Sequence, residues 1–249
     1  MPLTGTRDIS DIAATLPLVP RLDTEPWELK GCTHLQLMFE IDDGAMTSLL
    51  PPALHPTIPP TVLFNVLDVP GSTVGPFALA EVRIGCRSGA RPRGLLVAAV
   101  CNSESAIDEL ARRWGYPVEA GDVELRRNYD RITAEVYLSG ELVFSGQLFD
   151  PEAINGSDIQ YLANLNLARI ERDGQQLTRL IQVDPDYAFH RADRGRPQLE
   201  WFDPEAWDLP GCEPVYPVSA SCAVVDVTLP RIRYLVDPAK PPLQSVEKL

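Results

Sequence analysis

Lysine is nearly absent from this chain. Of 22 basic residues only Lys30, Lys240 and Lys248 are lysines. The last two fall in a proline-rich C-terminal tail, so any amine chemistry has to use Lys30 or nothing. The five cysteines (Cys32, Cys86, Cys101, Cys212 and Cys222) are odd in number, widely spaced and form no CxxC, which argues against a disulfide framework and against a zinc site. No run approaches the roughly eighteen uncharged apolar residues of a membrane span, and the opening MPLTGTRDISDIAA lacks the basic-then-apolar order of a signal peptide. A glycine-rich phosphate loop, HExxH and GxSxG are also missing, which reduces the major cofactor and hydrolase classes. The expectation is a cytoplasmic protein with no membrane partner, no metal and no cofactor.

Positive charge is in deficit too. The formal net charge is -13, whereas nucleic acid and anionic membranes require a basic footprint. A small, neutral or weakly polar ligand fits better. What is present is an ordinary globular composition, 45% hydrophobic and 23% charged over 249 residues, with enough apolar mass for a sizeable core. No internal repeat or linker divides the chain. A single domain spanning 1–249 is expected, with 1–25 and the tail 238–249 peripheral.

Strand signals dominate. Period-2 or continuous β-rich runs occur at 34–42, 61–69, 77–87 and 94–101, punctuated by Pro and Gly. One helix interrupts them: Asn102 or Ser103 can cap it, Ile107, Leu110, Ala111 and Trp114 form an apolar stripe, and Gly115 followed by Pro117 stops it. Further strands follow at 122–128, 131–138 and 141–149. A hairpin turning at Asp173-Gly174 spans 168–183, and a late pair lies at 197–202 and 222–236. Roughly ten strands at this spacing predict a mainly β (α+β) domain: a closed or nearly closed antiparallel β-barrel or a curved double sheet, with one central helix and an interior cavity for a small molecule.

The order of features resembles the acetoacetate decarboxylase superfamily over nearly the whole chain. LLPPALHP is similar to the loop after its first long strand, FNVLDV and LAEVRIG to its two acid-bearing strands, and NSESAIDELARRWGYP to its helix and catalytic turn. DIQYLANLNLARI and VVDVTLPRIRYLVD are similar to its late core strands. In that family two lysines follow Tyr-Pro, and the first forms an iminium with a ketone substrate; the lysine of acetoacetate decarboxylase is a well-known example of an amine activated by desolvation or a cationic neighbour. Here those positions are Val118 and Glu119. The family's arginine aligns with Cys32, its first glutamate with Asn65, and its second is retained as Glu81. The resemblance therefore implies the fold, the pocket and a homo-oligomer, and argues against the family's own decarboxylation route.

The replacements permit proton transfer. Glu119 facing an apolar cavity would have a raised pKa and serve as general acid or base, with Glu81 as its counterpart of opposite protonation state. His34, at the same strand parity as Cys32, is a third catalytic candidate and an alternative base. Asn65, Cys32, Val118, Tyr116 and Arg126 are expected to bind substrate, Asn65 by donating to an enolate-like oxygen. The plainer readings are an exposed loop glutamate for Glu119, a structural ion pair with an arginine for Glu81, a solvated strand edge for Arg126 and a solvent position for Lys30. The reading is a cofactor-independent lyase, isomerase, cyclase or dehydratase acting on a keto or enone compound in specialised (secondary) metabolism. A non-catalytic binding barrel and a non-iminium β-keto acid decarboxylase are the alternatives.

Overall fold

Along FALAEVRIGCR the alternation resolves into a strand buried on both faces. In the computed structural model, which describes residues 3–249, this strand places Ala78, Ala80, Val82 and Ile84 in one apolar cluster and Phe77 and Leu79 in a second. Its own parity thus divides the molecule into two interiors. The candidate site lies in the second.

The chain order begins β1 (Leu18–Val19), β2 (Trp27–Glu40), α1 (Asp43–Leu49), β3 (His55–Pro56), β4 (Thr61–Val69), β5 (Phe77–Ser88) and β6 (Arg91–Cys101). It continues through α2 (Glu104–Trp114), β7 (Val118–Ala120), β8 (Asp122–Arg127), β9 (Arg131–Leu138) and β10 (Glu141–Ala153). It ends with β11 (Asn164–Arg172), β12 (Gln175–Val183), β13 (Asp186–Phe202), β14 (Tyr216–Leu229), β15 (Tyr234–Val236) and β16 (Val246–Lys248). All belong to one sheet, ordered β16-β15-β12-β11-β6-β5-β4-β2-β14-β13-β10-β9-β8, with β1 on β11, β3 on β5 and β7 on β6.

The sheet is mixed and its hydrogen-bonded path is open, where a closed antiparallel ring was one expectation. β6 pairs in parallel with β7 and β11, and β1 in parallel with β11. The β6–β7 pairing is parallel because α2 carries the chain back across the sheet between them. Curvature brings the free edge strand β8 back against β4, β5 and β6. Arg127 of β8 then reaches the buried Asp193 of β13 at 2.9 Å.

The expected helix is α2. Ser103 caps its start by accepting from the Ala106 N–H, and Gly115 ends it in the left-handed region at φ 68°. Ala106, Leu110 and Trp114 are buried in the second apolar cluster, where Trp27 stacks on Trp114 at 6.0 Å between centroids. Glu104 in the first turn and Arg112 and Arg113 in the last suit the helix dipole.

Two strands are longer than the sequence pattern suggests. β2 starts at Trp27, seven residues before its alternation becomes clear, because a bulge at Lys30-Gly31 resets the period: Cys32 pairs with Val225 but Leu29 with Val227. β13 starts at Asp186, since its charged alternate residues face outward over much of its length. Among the described residues no helix is long and apolar enough to cross a membrane.

Candidate active site

One row of register partners crosses five strands: Gln36, Asn65, Glu81, Ala99 and Val118. Cross-strand partners project from the same face of a sheet, and this face looks onto α2. His34 lies two residues before Gln36 on β2, and Arg83 two residues after Glu81 on β5, so period two adds both to the group. Tyr116 follows α2, Asn164 and Asn166 come from β11, and Tyr187 from β13.

Five of them, His34, Glu81, Arg83, Tyr116 and Tyr187, line an enclosed chamber of ≈ 20 Å³ with apolar side chains such as Leu79 and Leu110, and Asn65 and Asn164 adjoin it through hydrogen bonds to His34 and Tyr116. The free space is that of about one water molecule. Glu81 and Arg83, 2% and 3% exposed, form an ion pair. Arg83 Nη1 also donates to the Leu162 carbonyl oxygen at 2.9 Å. Burial raises the Glu81 carboxyl above the ordinary range, opposed by the neighbouring Arg83 charge. For Arg83 burial is the largest influence and works the other way, but the Glu81 charge, the Tyr187 and Tyr116 hydroxyls and the Glu81 hydrogen bond together more than offset it, and the guanidinium keeps its proton.

His34 is fully buried, and its Nε2 lies 3.1 Å from Asn65 Oδ1. An amide oxygen only accepts, so Nε2 carries the hydrogen and Nδ1 presents its lone pair. Burial, reinforced by the Arg83 charge, pushes the imidazole down to about 3; it is neutral at physiological pH. A ring with so low a proton affinity is a weak base. Its hydrogen bond orients the Asn65 amide.

Several buried polar atoms here lack partners. His34 Nδ1, Asn65 Nδ2, Asn164 Oδ1 and Asn166 Oδ1 are all unsatisfied, although Asn164 Nδ2 donates to the Tyr116 hydroxyl at 3.0 Å and Asn166 Nδ2 to the Trp114 carbonyl at 2.9 Å. An unmet buried polar group costs about 1–3 kcal/mol. Such a cluster marks a place for a polar guest.

The structure brings together Glu81, His34, Asn65 and Tyr116, sets Val118 at the far end of their register row, and leaves out three other expected residues. Glu119 is exposed: Val118 pairs with Ala99 on the chamber row, and consecutive strand residues face opposite ways. Its expected desolvation is therefore corrected. Cys32 is buried in the apolar cluster and does not line the chamber, and burial lifts its thiol to about 12. Arg126 is exposed and pairs with Glu124 on its own strand. Lys30, thrown outward by the Gly31 bulge, pairs with Glu28 and Asp226.

Sequence reasoning missed Arg83, Asn164, Asn166 and Tyr187. Glu-x-Arg in LAEVRIG and Asn-x-Asn in NLNLARI were the available signals. In each, two polar residues at period two share one face of an otherwise apolar strand. Among the described residues no group of three or more His, Cys, Asp or Glu converges as a metal cluster.

The sequence profile described as Acetoacetate decarboxylase (ADC) matches residues 15–239. The chain belongs to the acetoacetate decarboxylase family. Among curated protein sequences, none matches it. Among solved structures it is similar to an acetoacetate decarboxylase at 21% identity, with a TM-score of 0.75 and coverage of 86% of this chain and 89% of that one. It is also similar to the acetoacetate decarboxylase of Legionella pneumophila subsp. pneumophila str. Philadelphia 1 (18% identity, TM-score 0.73, coverage 93% and 97%). A third similar structure is the enduracididine biosynthesis enzyme MppR in complex with the condensation product of pyruvate and imidazole 4-carboxaldehyde (16% identity, TM-score 0.68, coverage 83% and 88%). Within this acetoacetate decarboxylase fold, Val118 occupies the end of the row that carries Glu81.

Proposed function

We propose that the chamber is the catalytic site of a lyase- or isomerase-type enzyme that acts on a keto or enone small molecule by proton transfer, with no amine nucleophile. The observation that carries this reading is the side-by-side pairing of Asn65, whose buried Nδ2 lacks a partner, with the buried carboxyl of Glu81. A carbonyl oxygen accepting from Asn65 Nδ2 turns its α-carbon toward the neighbouring carboxylate.

Glu81 takes the α-proton, the C–H electron pair moves into the C–C bond, and the carbonyl π pair moves onto oxygen, where Asn65 stabilises it. The carboxylic acid then returns the proton at another carbon, giving an isomer, or protonates a β-hydroxyl as it leaves as water. Burial of Glu81 favours the proton-loaded state, and Arg83 restores the carboxylate. His34 contributes by holding Asn65. None of these steps uses an organic cofactor. Family membership and the pyruvate-derived ligand carried by MppR support the substrate class, and we place the activity in specialised metabolism, in a cytoplasmic homo-oligomer.

The test is α-proton exchange in D₂O followed by NMR over β-keto acids, methyl ketones and enones, with wild type, Glu81→Gln and Glu119→Gln. Exchange abolished by Glu81→Gln and unaffected by Glu119→Gln supports the assignment. Exchange indifferent to Glu81→Gln overturns it. A second reading, a non-catalytic binding barrel, is favoured by the engagement of Glu81 by Arg83 in a chamber that holds about one water. It requires binding without exchange, with Glu81→Gln changing affinity alone.

A further inference from the structure

The chamber is too small for a keto compound, so the question is where the rest of a substrate sits. A recess of ≈ 360 Å³ adjoins it, between Arg91 and Arg93 at the start of β6, the segment 159–163, and Tyr187 and Phe189 of β13. Tyr187 lines both spaces. The segment 159–163 has no regular secondary structure and roofs the chamber by three contacts. Leu162 oxygen accepts from Arg83, Gln160 oxygen accepts from Gln36 Nε2 at 3.5 Å, and the Tyr161 hydroxyl donates to the His34 carbonyl at 3.2 Å.

The recess has a definite chemistry. Two arginines line it and no aspartate or glutamate does, in a chain of net charge -13. Arg93 is 7% exposed; its Nη2 pairs with Asp184 at 3.1 Å and its Nε has no partner. Arg91 is exposed and, among the described residues, makes no ion pair. Opposite them, near-parallel rings run outward from the chamber: His34 on Tyr161 at 3.9 Å and 14°, then Tyr161 on Phe189 at 6.0 Å and 15°. Guanidinium groups match a carboxylate, and a row of rings matches a flat unsaturated group.

Resting on the chamber being the catalytic site, we infer that this recess is the outer half of the substrate site, and that the substrate is a keto acid bearing a flat aromatic or conjugated group. Arg91 and Arg93 hold its carboxylate and Tyr161, Tyr187 and Phe189 its planar part, while the proton-bearing carbon next to its ketone reaches Glu81 once Tyr161 moves off His34.

The experiment is isothermal titration calorimetry of the full chain with phenylpyruvate, phenylacetone (the same skeleton without the carboxylate) and pyruvate. Wild type is compared with Arg91→Gln, Arg93→Gln and Phe189→Leu. Phenylpyruvate binding is expected to weaken roughly tenfold in either arginine variant, as for loss of one charge-assisted contact, while phenylacetone binding is unchanged. Phe189→Leu is expected to bring phenylpyruvate down toward pyruvate. Arg93→Gln also breaks the Asp184 pair, so circular dichroism checks its fold, and exposed Arg91 provides an independent variant. Phenylpyruvate binding unchanged in both arginine variants, or no binding of either carboxylate by wild type, overturns the recess assignment. Arginine-dependent binding with exchange indifferent to Glu81→Gln leaves the recess standing and removes the catalytic reading. Glu81-dependent exchange with affinity indifferent to both arginines does the reverse.

Discussion

Val118 lies on the same cross-strand row as Glu81, separated from it only by Ala99. Strands are about 4.8 Å apart, so the position where the family resemblance expects an amine is two strands from the buried carboxyl, across the smallest side chain that still packs. Val118→Lys should therefore place an amine beside Glu81, desolvated enough to be nucleophilic. Borohydride trapping with a methyl ketone should give a covalent adduct by mass spectrometry in Val118→Lys and none in wild type, because Lys30 is exposed. A wild-type adduct would return iminium chemistry to Lys30.

Catalysis should separate the two glutamates. Glu81→Gln is expected to reduce α-proton exchange by roughly 100-fold or more, the usual range for a general base, with ligand binding retained. Glu119→Gln should match wild type, since its side chain faces away from the chamber. Comparing exchange rates with calorimetric affinities checks both.

The buried ion pair should show asymmetric energetics. Removing one partner strands a charge, so Arg83→Met alone should cost about 3–5 kcal/mol in urea denaturation. Combining it with Glu81→Gln should recover much of that loss. Equal losses in the single and double variants would show that Glu81 is not carrying its charge in the native state.

Acid sensitivity should trace in part to His34. Its folded pKa is lowered from 6.5 to about 3, so below pH about 6.5 the unfolded chain takes up a proton that the native state refuses. Stability supplied by the neutral, buried ring is present above that pH and declines as the pH falls toward 3, by on the order of 1.4 kcal/mol per pH unit. Glu81, raised when folded, acts with the opposite sign: its cost grows as pH rises. The difference between wild type and His34→Gln isolates the histidine, and the variant should have a flatter stability profile between pH 6.5 and 3.

Gly115 should not tolerate a side chain. It sits at φ 68°, and an added Cβ would lie 2.6 Å from the Ala168 Cβ. Gly115→Ala should destabilise by about 1–2 kcal/mol from backbone strain alone, with more from the contact, and thermal melting should show it. The substitution also shifts Tyr116, the next residue, so ligand affinity should fall.

Legibility in the sequence followed periodicity. β4 and α2 were readable because strict apolar patterns and plain caps marked them. Only the 197–202 end of β13 was, since its outward residues are charged and it is paired on one side by β10, a strand remote in sequence. The onset of β2 was hidden by the bulge at Gly31, which also turns Lys30 to the solvent position that WELKG suggests. For the site, Glu81 and Asn65 stood out as polar residues in apolar strands. Glu119 misled because nothing local says which way a strand begins after Tyr-Pro; only its pairing with β6 sets that parity.

By itself, the sequence determined the mainly β class, the capped helix α2, the scarcity of lysine and the absence of an amine at position 118, because each depends on residue identity or on short-range spacing. The tertiary structure alone decided which polar residues meet. Gln36, Asn65, Glu81, Ala99 and Val118 align only when five strands settle into register, and Arg83 becomes the partner of Glu81 because both are sealed from water on one face. Burial is a collective property of the packed sheet, and it sets the proton affinities of His34 and Glu81 that no short stretch encodes.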